Sequence, residues 1–150
     1  MQRKIVEITV EKQRAGFSLR LWCAADIKAI KTIERLSFED SIDGGELADG
    51  KWICQVLDRL GVGVIGFTVF ESKPRCLKII RLAVHPEFRR SGYGRAMLDK
   101  LKRLAIMTDN CAKITSDVPV ANLEGAMFLK AEGFKGASLG TSQYRFVWYR

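Results

Sequence analysis

Leu77-Lys78-Ile79-Ile80-Arg81-Leu82-Ala83-Val84-His85-Pro86-Glu87-Phe88-Arg89-Arg90-Ser91-Gly92-Tyr93-Gly94-Arg95 is the segment that commits this chain to its fold. Leu77 to Val84 is strongly apolar and β-branched, which predicts a strand. His85-Pro86 ends it, because proline removes a donor and restricts the residue before it. From Gly92 to about Met107 the apolar residues Tyr93, Met97, Leu98, Leu101, Leu104 and Ala105 recur at helical steps. Asp99, Lys100, Lys102 and Arg103 fall between them, so this segment predicts an amphipathic helix.

The joint between strand and helix, Arg89 to Arg95, holds two glycines and three arginines. Glycine allows backbone angles denied to other residues and lets a ligand approach the main chain. The N–H groups of a helix's first turn add oriented donors and a partial positive charge. Strand, glycine turn and helix in that order can seat a pyrophosphate. Two other phosphate turns are disfavoured: the Gly-Lys-Ser/Thr ending of a P-loop is missing, and Met97 stands where a dinucleotide fingerprint needs its third glycine. The bland alternative is a tight turn with solvated arginines.

On the N-terminal side, Phe17 to Trp22 alternates as a half-buried strand does. Asp26 can then cap a helix bearing Ile27, Ile30 and Ile33. Trp52 to Leu57, a turn at Asp58 to Gly61, and Val62 to Phe70 read as a hairpin. Beyond the central helix, Lys113 to Val118 reads as a strand, Asn122 as an N-cap, and Leu123 to Ala131 as a helix stopped by Gly133. Tyr144 to Tyr149 reads as a last strand with a packed face. The expectation is a mixed α/β sheet flanked by helices. With 150 residues and no linker or repeat, one domain spanning 1–150 is expected.

The motif Leu82 to Leu98, with its Arg-x-x-Gly-x-Gly turn, resembles the central motif of the GNAT acetyltransferase superfamily. Asn122 to Phe134, ending Glu132-Gly133-Phe134, is similar to that family's next helix. The closest motif likeness is to ribosomal-protein alanine N-acetyltransferases. The resemblance implies a mostly antiparallel sheet with a splayed strand pair that binds acyl-CoA, the backbone at Leu82 and Val84 meeting the pantetheine arm. It places the pyrophosphate on the main-chain N–H groups of Arg90, Gly92, Gly94 and Arg95, with Arg89 and Arg90 adding charge. Asn122 would touch the cofactor arm or act only as a cap. Acetyl-CoA is the implied acyl donor, with no metal.

The implied reaction is direct attack of an amine on the thioester, in which the Val84 N–H would steady the oxyanion. Asp117 matches a position where the relatives carry a Glu, so it is the nominated general base; its bland role is a carboxylate capping the turn at Pro119. The relatives' thiolate-protonating Tyr is replaced here by Leu129. Tyr144, Tyr149 or Cys111 could substitute, water could serve, or turnover could be weak. His85, a lone histidine before a proline, is read as structural.

Net charge is +8. Residues 1–75 carry 12 Lys/Arg against 11 Asp/Glu, and residues 76–150 carry 13 against 6, so the excess is +1 and then +7. A basic half suits a polyanionic cofactor; nucleic acid is disfavoured, since no zinc finger, RNP-type motif or basic helix is present. Four dispersed cysteines and one histidine argue against a zinc site. Met1 to Val10 has no signal-like apolar core, and no stretch has membrane-spanning length, so the expected place is the cytoplasm with no membrane partner. The expected partner is an amine acceptor, a peptide N-terminus, lysine or small molecule. Its site would be built around Ile27 to Gly50, where Glu39, Asp40, Asp43, Glu46 and Asp49 suit a cation. Edge strands allow a homodimer. A weakly catalytic acyl-CoA-binding module and a basic nucleic-acid-binding domain are the competing readings.

Overall fold

The computed structural model describes residues 16–40 and 47–150. Met1 to Val10, and the acidic residues Asp43 and Glu46, lie outside the described residues. In chain order the elements are β1 (Phe17–Leu21), α1 (Ile27–Ser37), β2 (Ile53–Arg59), β3 (Gly63–Lys73), β4 (Cys76–Val84) and α2 (Tyr93–Met107). They continue with β5 (Lys113–Pro119), α3 (Leu123–Ala131), β6 (Lys135–Leu139) and β7 (Gln143–Tyr149). The strands form one sheet in the order β1-β2-β3-β4-β5-β7-β6. Pairs β1/β2, β5/β7 and β6/β7 are antiparallel and β4/β5 is parallel, which is the expected mixed, mostly antiparallel sheet. Contacts divide the described residues into two compact units, one of those up to Val69 with Arg81–Met97, the other of Phe70–Ile80 with Leu98–Arg150.

In the first unit, Leu19, Leu57, Ile65, Val84 and Met97 form a buried cluster, with Phe17, Leu82, Phe88 and Tyr93 packed against it. Gly66 lets this cluster close: a Cβ there would stand 3.1 Å from the Ala83 carbonyl oxygen and 3.3 Å from Met97 Cε. The β2–β3 turn begins later than the sequence suggests. β2 runs on through Asp58 to Arg59 because those residues pair with Ser18 and Phe17 of β1.

Asp26 corrects the sequence reading, because its side chain does not cap α1. It accepts the Cys23 N–H at 2.8 Å, closing the short 3-10 turn Ala24–Asp26, and takes both Nη atoms of Arg20 at 2.7 and 2.9 Å. Arg20 also reaches Asp58 at 3.2 Å. The Arg20 bond is the main cause that brings the Asp26 pKa down from 3.8 to about 2, against the burial that opposes it. A depressed carboxylate pKa stabilises the fold above the unfolded value and loses that contribution as pH falls through the folded one. Asp26→Asn should therefore flatten the fall of Tm between pH 4 and 2, by about 1 kcal/mol once solvent screening around the partly exposed Arg20 is allowed for. An unchanged acid limb in a thermal melt series would show that the pair is not stabilising.

In the second unit β5 and β7 pair from Lys113↔Tyr149 to Pro119↔Gln143. Leu98, Leu101, Ala105, Ile114, Val118, Leu129, Phe134 and Phe146 are buried. Lys102 donates to the Glu132 carbonyl at 2.7 Å while its ammonium lies over the rings of Phe134 and Trp148, covering the end of α3. Gly133, at φ +93°, makes the left-handed stop that follows that helix. Asn122 caps α3, its Oδ1 accepting the Gly125 N–H at 3.0 Å. The aromatic ending packs less than the sequence suggests: Phe146 is buried, but Tyr144 and Tyr149 are exposed.

Candidate functional site

The turn after β4 hangs between two aromatic anchors. Phe88 packs on the first unit's core beneath the Arg59 guanidinium, and Tyr93 meets Phe17 edge to face at 5.6 Å. With both ends held, Arg90, Ser91 and Gly92 are pushed into solvent. Arg90 and Gly92 both adopt left-handed backbone, φ +60° and +84°. Such a conformation is uncommon for an arginine. Alternation of this kind turns successive N–H groups toward one point and makes an anion-binding concavity. The helical ladder of α2 starts with Ala96 N–H donating to Gly92 O. Tyr93 and Gly94 therefore sit in the first turn, where N–H groups have no acceptor within the helix.

Alternation along β4 explains the choice of Leu82 and Val84. His85 N–H donates to Ile65 O of β3 at 2.7 Å. Alternate residues of a strand address opposite edges, so the N–H and C=O of Val84 and Leu82 face away from β3. On that edge the parallel pairing with β5 runs from Cys76↔Lys113 to Ile79↔Ser116, while β4 continues to Val84 and β5 to Pro119.

Two arginines of this region reach the end of α1. Arg89 Nε donates to Val84 O at 2.9 Å, and its Nη2 donates to Ser37 Oγ at 3.0 Å. Arg81 pairs with Asp40 at 2.8 Å and stacks on Phe38 at 4.2 Å. This pairing holds the Asp40 carboxyl below its usual range. His85 has a structural post: its Nδ1 accepts the Glu87 N–H at 3.2 Å and caps the turn Pro86–Phe88.

Leu82, Val84, Arg89, Arg90, Gly92, Gly94 and Arg95 thus fall within one unit, while Asp117 and Asn122 fall in the other. Asp117 lies on β5 opposite Arg145 and is held by it at 2.8 and 3.0 Å, with Lys78 at 3.8 Å. The Arg145 bond, foremost among several causes, keeps the Asp117 carboxyl below the usual carboxylate range. Sequence reading missed Arg145, Arg81 and Ser37, because their partners are set by register and packing rather than by spacing.

The groups weighed for thiolate protonation are scattered. Tyr144, opposite Val118, projects to the other face of β7 from Arg145. Tyr149, opposite Lys113, is four residues along from Arg145, about 13 Å by strand rise. Cys111 is buried, and Leu129 is a core residue, 6% exposed. Cys54 is also unsuited to chemistry, since burial pushes its thiol up to about 12. All four cysteines are free thiols. Among the described residues no His/Cys/Asp/Glu group could hold a metal, and no helix is long and apolar enough to cross a membrane.

A strand edge running into a left-handed turn at a helix N-terminus, on a mostly antiparallel sheet, is an arrangement suited to a phosphate-bearing ligand. The chain belongs to the acetyltransferase (GNAT) family, which matches residues 29–134, and it is an N-acetyltransferase by that membership. Comparison with curated protein sequences returned no match. Among solved structures, the chain is similar to Arabidopsis thaliana NAA60 in complex with a bisubstrate analogue, with TM-score 0.76 and 16% identity. That likeness covers 89% of this chain and 97% of the other. The spermidine N-acetyltransferase SpeG of Vibrio cholerae, in a mutant form, gives TM-score 0.75, 15% identity, and 90% and 94% coverage. The ribosomal-protein-S18-alanine N-acetyltransferase of Escherichia coli gives TM-score 0.69, 17% identity, and 87% and 90% coverage. At these identities the likeness is one of fold.

Proposed function

We propose that this chain moves an acetyl group from acetyl-CoA to a primary amine by direct attack, as one catalytic domain working in the cytoplasm. The observation that carries the reading is the exposed turn Arg90–Gly92, with two left-handed residues opening a 15-residue helix beside the Val84 edge that faces away from β3. The pyrophosphate rests on the N–H groups of Arg90, Gly92, Gly94 and Arg95, with Arg90 adding charge. The pantetheine arm pairs with the backbone of Leu82 and Val84, and the Val84 N–H steadies the oxyanion. Asn122 lies along the arm while capping α3. The four free thiols suit a reducing compartment. Calorimetric titration with acetyl-CoA, on the parent and on Gly94→Glu, tests the site.

The acceptor is a peptide N-terminus, a lysine or a small-molecule amine. It reaches the acyl group past the end of α1, where Glu39, two residues beyond Ser37, is exposed. Asp117 receives the amine's proton through a water, and the leaving thiolate is protonated by solvent. Because Arg145 lowers its pKa, Asp117 is ionised throughout the neutral range. Any acid limb in kcat/KM near neutrality therefore belongs to the amine. Asp117→Asn should lower kcat about a hundredfold, with the limb in place and the acetyl-CoA Kd within about twofold. If Tm falls while kcat holds, Asp117 is a cross-strand ion pair and no base.

The burial of Leu129, where relatives carry the protonating Tyr, favours a second reading: an acyl-CoA-binding module with weak catalysis. Steady-state turnover on a mixed amine panel separates the two.

A further inference from the structure

We propose that Arg89 is a positioning residue that ties the cofactor turn to the end of α1, and does not serve as a phosphate ligand. The proposal rests on the acyl-CoA reading above and assigns one of its residues a different task. Two nitrogens of the arginine fork donate inward: Nε to Val84 O at 2.9 Å and Nη2 to Ser37 Oγ at 3.0 Å. Its neighbour Arg90 is exposed and carries the strained left-handed backbone, so the charge that can face an anion is at Arg90.

Val84 O belongs to the peptide that follows the N–H assigned to the oxyanion. Holding that carbonyl sets the tilt of the strand edge on which the thioester lies. The other prong holds Ser37, the last residue of α1, and Arg81 holds the next residues by stacking on Phe38 and pairing with Asp40. The chain leading to the acceptor segment is thus registered against the acyl-bearing edge by two arginines from the β4 region. An error of about 1 Å between reacting groups costs on the order of a hundredfold in rate. A latch of this kind therefore acts on kcat and leaves cofactor affinity alone. A planar fork is needed to bridge two acceptors at set angles, and a lysine cannot replace it.

The test compares the parent with Arg89→Lys, Arg89→Gln and Arg90→Gln by acetyl-CoA calorimetry at low and high salt, and by steady-state kinetics. A thermal double-mutant cycle of Arg89→Lys with Ser37→Ala is run alongside. The latch predicts that both Arg89 variants keep the acetyl-CoA Kd within about twofold while kcat falls about tenfold to a hundredfold. Arg90→Gln should instead weaken binding and flatten its salt dependence. The two cycle substitutions should be non-additive. The proposal is overturned if Arg89→Gln loses about tenfold or more in affinity with a flattened salt dependence while Arg89→Lys retains binding, as a phosphate ligand would. If the parent binds no acetyl-CoA, the cofactor reading has failed, and the cycle decides the latch: coupling supports it and additivity overturns it.

Discussion

Gly94→Glu is expected to abolish measurable acetyl-CoA binding, a loss of at least about a hundredfold, in a protein that folds as well as the parent. Gly94 is the second residue of α2, in the turn whose N–H groups are proposed to hold the pyrophosphate. A charge-assisted hydrogen bond contributes about 1.5–3 kcal/mol, so losing two of them costs on the order of a hundredfold or more in affinity. A carboxylate placed there adds repulsion to the loss. The fold should not suffer, because glutamate is a better helix former than glycine and an acid in the first turn is stabilised by the helix dipole. Gly92→Glu is the less clean probe, since φ +84° would strain any side chain there. Retained nanomolar-to-micromolar binding in a folded Gly94→Glu protein would move the cofactor away from this turn.

Phe67→Ala should cost about 3–5 kcal/mol and lower Tm by about 10 °C. Phe67 is fully buried on β3, where every residue from Ile65 to Phe70 is buried. A strand buried on both faces offers no route for collapse around the missing ring, so the cavity persists. Against a total stability of about 5–15 kcal/mol, this is the largest single-site loss anticipated. Leu60→Ala, at a site 82% exposed in the β2–β3 turn, should stay within about 0.5 kcal/mol. Urea unfolding of both variants measures the contrast. A Phe67→Ala cost below about 1 kcal/mol would mean that the centre of the sheet is not close-packed.

Much of the fold was legible because its signals are local. α2 and α3 follow apolar periodicity, the Asn122 cap and the Gly133 stop, and their bounds agree with the sequence reading to within a residue. β6 was not legible. Its residues Lys135 to Leu139 are exposed or half-buried at the end of the sheet, so they carry no alternating apolar pattern; pairing with β7 makes them a strand. Asp26 read as the cap of α1, whereas its side chain is the acceptor of Arg20, which comes from the strand before it.

The same division runs through the site. The strand, the glycine turn and the helix that follows are written into the residues themselves, because proline, glycine and helical periodicity act on the chain within a few positions. The destinations of the arginines had to wait for the folded molecule. Arg89 turns inward to Val84 and Ser37, Arg81 to Phe38 and Asp40, and Arg145 to Asp117. A long charged side chain can reach many partners. Which one it takes depends on strand register and on packing between residues far apart in the chain, and no local pattern encodes either.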